Sequence, residues 1–172
     1  MIIRALQTTL FLVVLLYSAV AFGQSGTTGP SNNVLLTIGG EVAHPLKLTA
    51  GDVAKLPHRS VRAKAHDGKE ALFDGVELGD ILKLSGVKFG EQLRGKDLAL
   101  FLIVEAADGY RAVFALPELD HALTDRIIIL ADRRDGKPLA EKEGPSRIVV
   151  PDEKREARWV RQVVSLTVRR AE

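Results

Sequence analysis

Leu98 to Leu116 reads LALFLIVEAADGYRAVFAL, and this stretch decides the fold. Leu98 to Val104 carries no charge until Glu105 and is rich in branched and aromatic residues. It is too short to span a membrane, so it predicts a strand buried on both faces at the centre of a sheet. Asp108 and Gly109 supply a turn pair that tolerates positive φ. Tyr110, Ala112, Phe114 and Leu116 then alternate with Arg111, Val113 and Ala115, which predicts a returning strand packed on one face.

Upstream of this hairpin, Val34, Leu36 and Ile38 alternate before Gly39 and Gly40, giving a first strand, and Pro45 to Leu48 gives a short extended piece. Thr49 is placed to cap a helix over Ala50 to Leu56, with Asp52 completing a capping box and Pro57 ending the helix. Arg59 to Ala65 alternates basic or hydroxyl residues with Val61, Ala63 and Ala65, the pattern of an edge strand. Asp67 and Gly68 turn the chain back through Leu72 and Phe73. From Val76 the period becomes helical, with Leu78, Ile81 and Leu82 on one face and Gly86 at the left-handed stop. A polar loop around Gly90 to Lys96 follows.

Downstream, Pro117 to Leu123 predicts a helical turn, and Ile127 to Leu130 an interior strand ending at Ala131 and Asp132. Arg133 to Gly144, RRDGKPLAEKEG, shows mixed charge without periodicity and predicts a long surface loop. Arg147 to Val150 predicts a short strand stopped by Pro151, and Val163 to Arg169 a closing strand. The chain is thus α+β, a mixed sheet or barrel-like core of about eight to ten short strands with two or three short helices.

The N-terminus predicts a secretory signal over residues 1–23: Arg4, an apolar core from Leu10 to Val20, and small residues at Ala19, Ala21 and Gly23. Residues 24–33, QSGTTGPSNN, read as a flexible leader, and residues 34–172 as the folded domain. The apolar core is shorter than a span, so no stable membrane anchor is expected after cleavage, and the domain is expected in the periplasm or secreted. With 24 Lys and Arg against 22 Asp and Glu, the charge is nearly balanced, which argues against a nucleic-acid partner. The chain has no cysteine, so disulfides, zinc-thiolate sites and cysteine nucleophiles are all excluded. No Ser-His-Asp order, Gly-rich phosphate loop or HExxH helix is present, and no catalytic residue is assigned.

Several segments, in order, resemble the molybdopterin-binding domain of the sulfite oxidase family: Leu36 to Val42 (LTIGGEV) with Pro45, Asp74 to Leu78 leading to a helix ending at Gly86, Ala107 to Tyr110, Ile129 to Ala131, Asp135 to Leu139, and Gly144 to Pro151 before Trp159. The resemblance covers nearly all of Val34 to Arg169. It implies a mixed α+β domain that holds molybdenum through a pterin dithiolene and one cysteine thiolate, a soft anionic ligand that completes the coordination. That ligand would fall at about Ala65 or His66, and this chain has none to offer. The signal also lacks the paired arginines that the family's exported members carry, so the route implied is the general secretory one.

The resemblance implies four cofactor-binding positions. Arg147, in a Gly-Pro-x-Arg context, would lie by the cofactor phosphate, where a planar guanidinium binds bidentately. Arg158 stands where the family usually has lysine, His66 is near the ligand position, and Asp108 borders the same space. Each also has a plain reading: a strand-edge charge for Arg147, a solvated charged face for Arg158, an exposed turn flank for His66, and a backbone-capping carboxylate for Asp108. Three functions follow. The first is an exported relative without a conventional molybdenum centre, with no cofactor expected although the resemblance allows molybdopterin, acting as a module that binds a small anionic or pterin-like ligand or a protein partner. The second is a molybdopterin-dependent oxidoreductase with an oxygen or a His66 nitrogen in place of sulfur. The third is an interaction module that engages a protein partner through the Arg59 to Ala65 edge.

Overall fold

The computed structural model describes residues 33–65 and 68–172, so the segments expected as signal (residues 1–23) and, but for Asn33, as leader (residues 24–33), together with His66, lie outside the described residues. Among the described residues there are ten strands and two α-helices: β1 (Val34–Gly40), β2 (Leu46–Thr49), α1 (Ala50–Val53), β3 (His58–Lys64), β4 (Glu70–Glu77), α2 (Leu78–Leu84), β5 (Leu100–Ala106), β6 (Arg111–Ala115), β7 (Ile129–Arg134), β8 (Lys137–Pro138), β9 (Arg147–Val149) and β10 (Val163–Arg170). The α+β class holds. The strands form two sheets and do not close into a barrel, one ordered β2-β1-β10-β5-β6 and the other β3-β4-β7-β8 with β9 also on β7.

In the first sheet β1 runs parallel to β10, and the remaining pairs are antiparallel. Leu36 and Ile38 of β1, Leu102 and Val104 of β5, and Leu166 and Val168 of β10 point into one core, shared with Phe73, Val76 and Ile129 to Ala131 of the second sheet. Two sheets each bury one face against the other, as a two-layer domain requires.

The central strand differs from the expectation. β10, not β5, occupies the middle of the sheet, and β5 is buried on one face only: Leu102, Val104 and Ala106 are buried while Phe101 and Ile103 are half-covered. The outer residues are flanked by their cross-strand neighbours, Ile103 between Thr167 and Val113, which shields them in part without a covering layer. An apolar stripe on a half-covered face and a doubly buried strand give the same run of letters.

The expected loop over Arg133 to Gly144 is also corrected. β7 continues to Arg134, turns at Asp135 and Gly136, both at positive φ (51° and 74°), and returns as β8. Asp135 locks the turn to β4: its amide donates to the Leu72 carbonyl at 2.7 Å, and its Oδ1 accepts from the Leu72 amide at 2.9 Å.

Other sequence expectations hold. The Thr49–Asp52 capping box is present, although α1 ends at Val53 because the amides of Lys55 and Leu56 bond three residues back and tighten the last turn. Gly86 sits at φ 80° behind α2, and β3 is an edge strand of its sheet. Gly75 marks a bulge between β4 and β7, where a Cβ would lie 2.2 Å from the Leu130 carbonyl oxygen. Residues 160–163 cross between the sheets. There the Ile148 amide donates to the Val160 carbonyl at 2.7 Å and the Val163 amide to the Ser146 carbonyl at 3.1 Å. This crossing carries the segment that lines the main cleft.

Candidate functional site

Four pieces of backbone converge on one open cleft of about 1090 Å³: the end of β3 with Lys64, Ala65 and Gly68, the β5–β6 turn with Asp108 and Tyr110, Lys142 between β8 and β9, and residues 153–162. The turn is fixed by its own chemistry. Asp108 Oδ1 accepts from the Tyr110 amide at 2.9 Å, and Gly109 takes φ 85°. Tyr110 then reaches across, its hydroxyl donating to the Ala157 carbonyl at 2.6 Å, which ties the 153–162 segment to β6. Asp108 therefore both borders the cleft and caps its own turn.

Arg147 lies below this segment at the start of β9 and is 1% exposed. Its guanidinium stands 5.6 Å from the Phe73 ring and 5.3 Å from the Trp159 ring, and those two rings meet edge to face at 5.8 Å. Nη1 donates to Glu143 Oε1 at 2.8 Å and Nη2 to Glu156 Oε2 at 3.2 Å. The charge is paired twice from within the chain, as a buried cation must be. Arg147 Nε, Glu156 Oε1 and Trp159 Nε1 are buried with no hydrogen-bond partner among the described residues. Glu156 and Trp159 line the cleft, whereas Arg147 does not.

Arg158 is engaged elsewhere. It stacks 4.4 Å from the Phe114 ring centre, donates to the edge carbonyl of Val113 at 3.0 Å, and pairs with Glu153 and Glu118. Burial alone would lower its pKa, but the hydrogen bonds it donates to Glu118 and Glu153 outweigh that and raise it. Burial likewise pushes the Glu118 carboxyl up, and the Arg158 hydrogen bond, with the Ala115 amide and Arg126, overrides it and holds the group below the usual carboxylate range. Arg158 is thus a clamp between β6 and the 153–158 segment.

Of the four sequence candidates, the structure brings Asp108 to the cleft, sets Arg147 beneath it and turns Arg158 to a neighbouring salt-bridge cluster; His66 lies outside the described residues, next to Ala65, which lines the cleft. Sequence reasoning missed Glu143 and Glu156. Glu143 stands four residues before Arg147, but outside a helix that spacing predicts no contact. It also missed the cationic rim: Lys142, Lys154 and Arg155 line the cleft and make no ion pair among the described residues.

The family model for the oxidoreductase molybdopterin-binding domain matches residues 27–172. The chain belongs to that family. Among solved structures, the sulfane dehydrogenase SoxCD from Paracoccus pantotrophus is similar in fold, with a TM-score of 0.61 and 23% sequence identity. The match covers 77% of this chain and 37% of that one, so the chain spans little more than a third of its length. Comparison with curated proteins gives no match.

Membership in a molybdopterin-binding family poses a test that this chain's residues fail. A molybdenum–pterin group held by a thiolate needs a sulfur donor, and the chain has no cysteine. A phosphate at Arg147 would have to reach a guanidinium that is 1% exposed, does not line the cleft and already carries a carboxylate on each Nη. No group of three or more His, Cys, Asp or Glu among the described residues could hold a metal ion. The residues do not fit a thiolate-ligated centre, and no step is derived through one.

Proposed function

We propose that this chain is an exported member of the molybdopterin-binding oxidoreductase domain family that carries no conventional molybdenum centre and binds a small anionic ligand in its cleft. One observation carries the reading. The cleft is lined by Lys142, Lys154 and Arg155 without ion pairs, while of its three acidic side chains Glu153 and Glu156 are committed to Arg158 and Arg147 and Asp108 accepts from the Tyr110 amide, so cations outnumber the acids left to oppose them. The field offered to a ligand is therefore positive, and the chain has no cysteine thiolate with which to ligate a soft metal.

The segment over residues 1–23, with its single Arg4 and apolar core, supports export as an unfolded chain, and the periplasm or the exterior as its place of action. Elemental analysis of the protein purified from the periplasm tests the reading. It predicts protein with a cleaved N-terminus and no molybdenum. A stoichiometric metal would instead make the chain a molybdopterin-dependent oxidoreductase with an oxygen or nitrogen ligand.

A further inference from the structure

The two carboxylates on Arg147 bear directly on what the cleft can bind. Glu156 is shared: its Oε2 faces Arg147 Nη2 at 3.2 Å and Arg161 Nη2 at 4.0 Å, and the residue lines the cleft. Glu143 holds the other nitrogen at 2.8 Å from the opposite side. A guanidinium presents its donors in a fixed fork, and the end-on pair formed by its two Nη groups is already taken by one carboxylate on each arm. Arg147 Nε has no acceptor, and Phe73 and Trp159 close around the group.

We propose that Glu143 and Glu156 are built-in counter-ions that take the place of an exogenous oxyanion on Arg147, so that Glu156 sets the selectivity of the cleft by keeping phosphate-type groups on the rim cations and off the buried arginine. The inference rests on the reading of the cleft as a small-anion site. It goes further by dividing the cationic groups in two: Lys142, Lys154 and Arg155 are available to a ligand, and Arg147 is reserved. Glu156 is the cleft-lining carboxylate on Nη2, so removing its charge leaves that arm without an anion and adds a guanidinium to the cations a ligand in the cleft can engage.

The test titrates full-length mature protein with inorganic pyrophosphate by calorimetry. E156Q, which leaves Glu143 on the guanidinium, should bind about tenfold more tightly than the wild type, the size of one added charge-assisted contact. E143Q/E156Q should bind at least as tightly as E156Q, and adding Arg147→Met to that variant should abolish the gain. Should the double variant fail to fold, E156Q alone decides. Equal affinity in wild type and E156Q overturns the inference, as does a gain that survives loss of Arg147. Molybdenum content measured on the same preparations separates this outcome from the preceding one: metal in the wild type refutes the metal-free reading whatever the titrations give.

Discussion

Arg147 shows how one residue can keep the place that a family resemblance gives it and still serve another purpose. A fully buried guanidinium is tolerated only with close counter-charges, and Glu143 and Glu156 provide them. Arg147→Ala leaves two half-buried carboxylates facing each other, and is expected to cost about 3–5 kcal/mol in urea unfolding. Replacing all three with Met and Gln should cost much less, because no unpaired charge is then left behind. Glu118 contributes to the pH dependence of stability. Its folded pKa lies below its ordinary value of 4.5, so the stability it lends is present above that value and is lost as pH falls through the folded one. Melting temperature followed from about pH 6 to about pH 3 should drop more steeply for the wild type than for E118Q, whose side chain does not titrate. Asp108 and Arg147 could be singled out from the sequence because turn chemistry and short motifs are local. Glu143 and Glu156 could not, because their roles exist only once residues 153–163 fold back over β9.

Secondary-structure elements were legible where their signals are local. The Thr49 capping box, the Asp108–Gly109 turn and the left-handed Gly86 each follow from a few adjacent residues, and each is present. The Asp135–Gly136 turn carries the same signal as Asp108–Gly109, but its flanks are charged, so no alternating strand pattern announces β8. The place of β10 at the centre of its sheet was hidden because sheet order is a property of crossings between distant segments. The one-sided burial of β5 makes a prediction at this scale. Leu102→Ala should cost about 2–5 kcal/mol, a large fraction of it from the cavity left behind, and Ile103→Ala distinctly less, because its outer face has no layer to leave empty. Equal costs in chemical denaturation would mean that β5 is covered on both sides. Gly75→Ala belongs here too, since its Cβ would collide with the backbone of β7 at the bulge; loss of cooperative unfolding is the expected result.

At the scale of the molecule, the family and the fold agree, and the ligand set departs from what the family's name implies. Two sheets, a bridging crossing at residues 160–163 and a cleft of about 1090 Å³ are present, while the chain lacks cysteine and supplies its own acids to the buried arginine. Function resides in sites and not in folds, so a retained scaffold with altered donors is expected to have altered chemistry. The most direct test is the molybdenum content of the native protein, isolated from its own host and measured per chain by mass spectrometry. The account predicts no molybdenum above background in correctly folded, processed protein; one molybdenum atom per chain would contradict it.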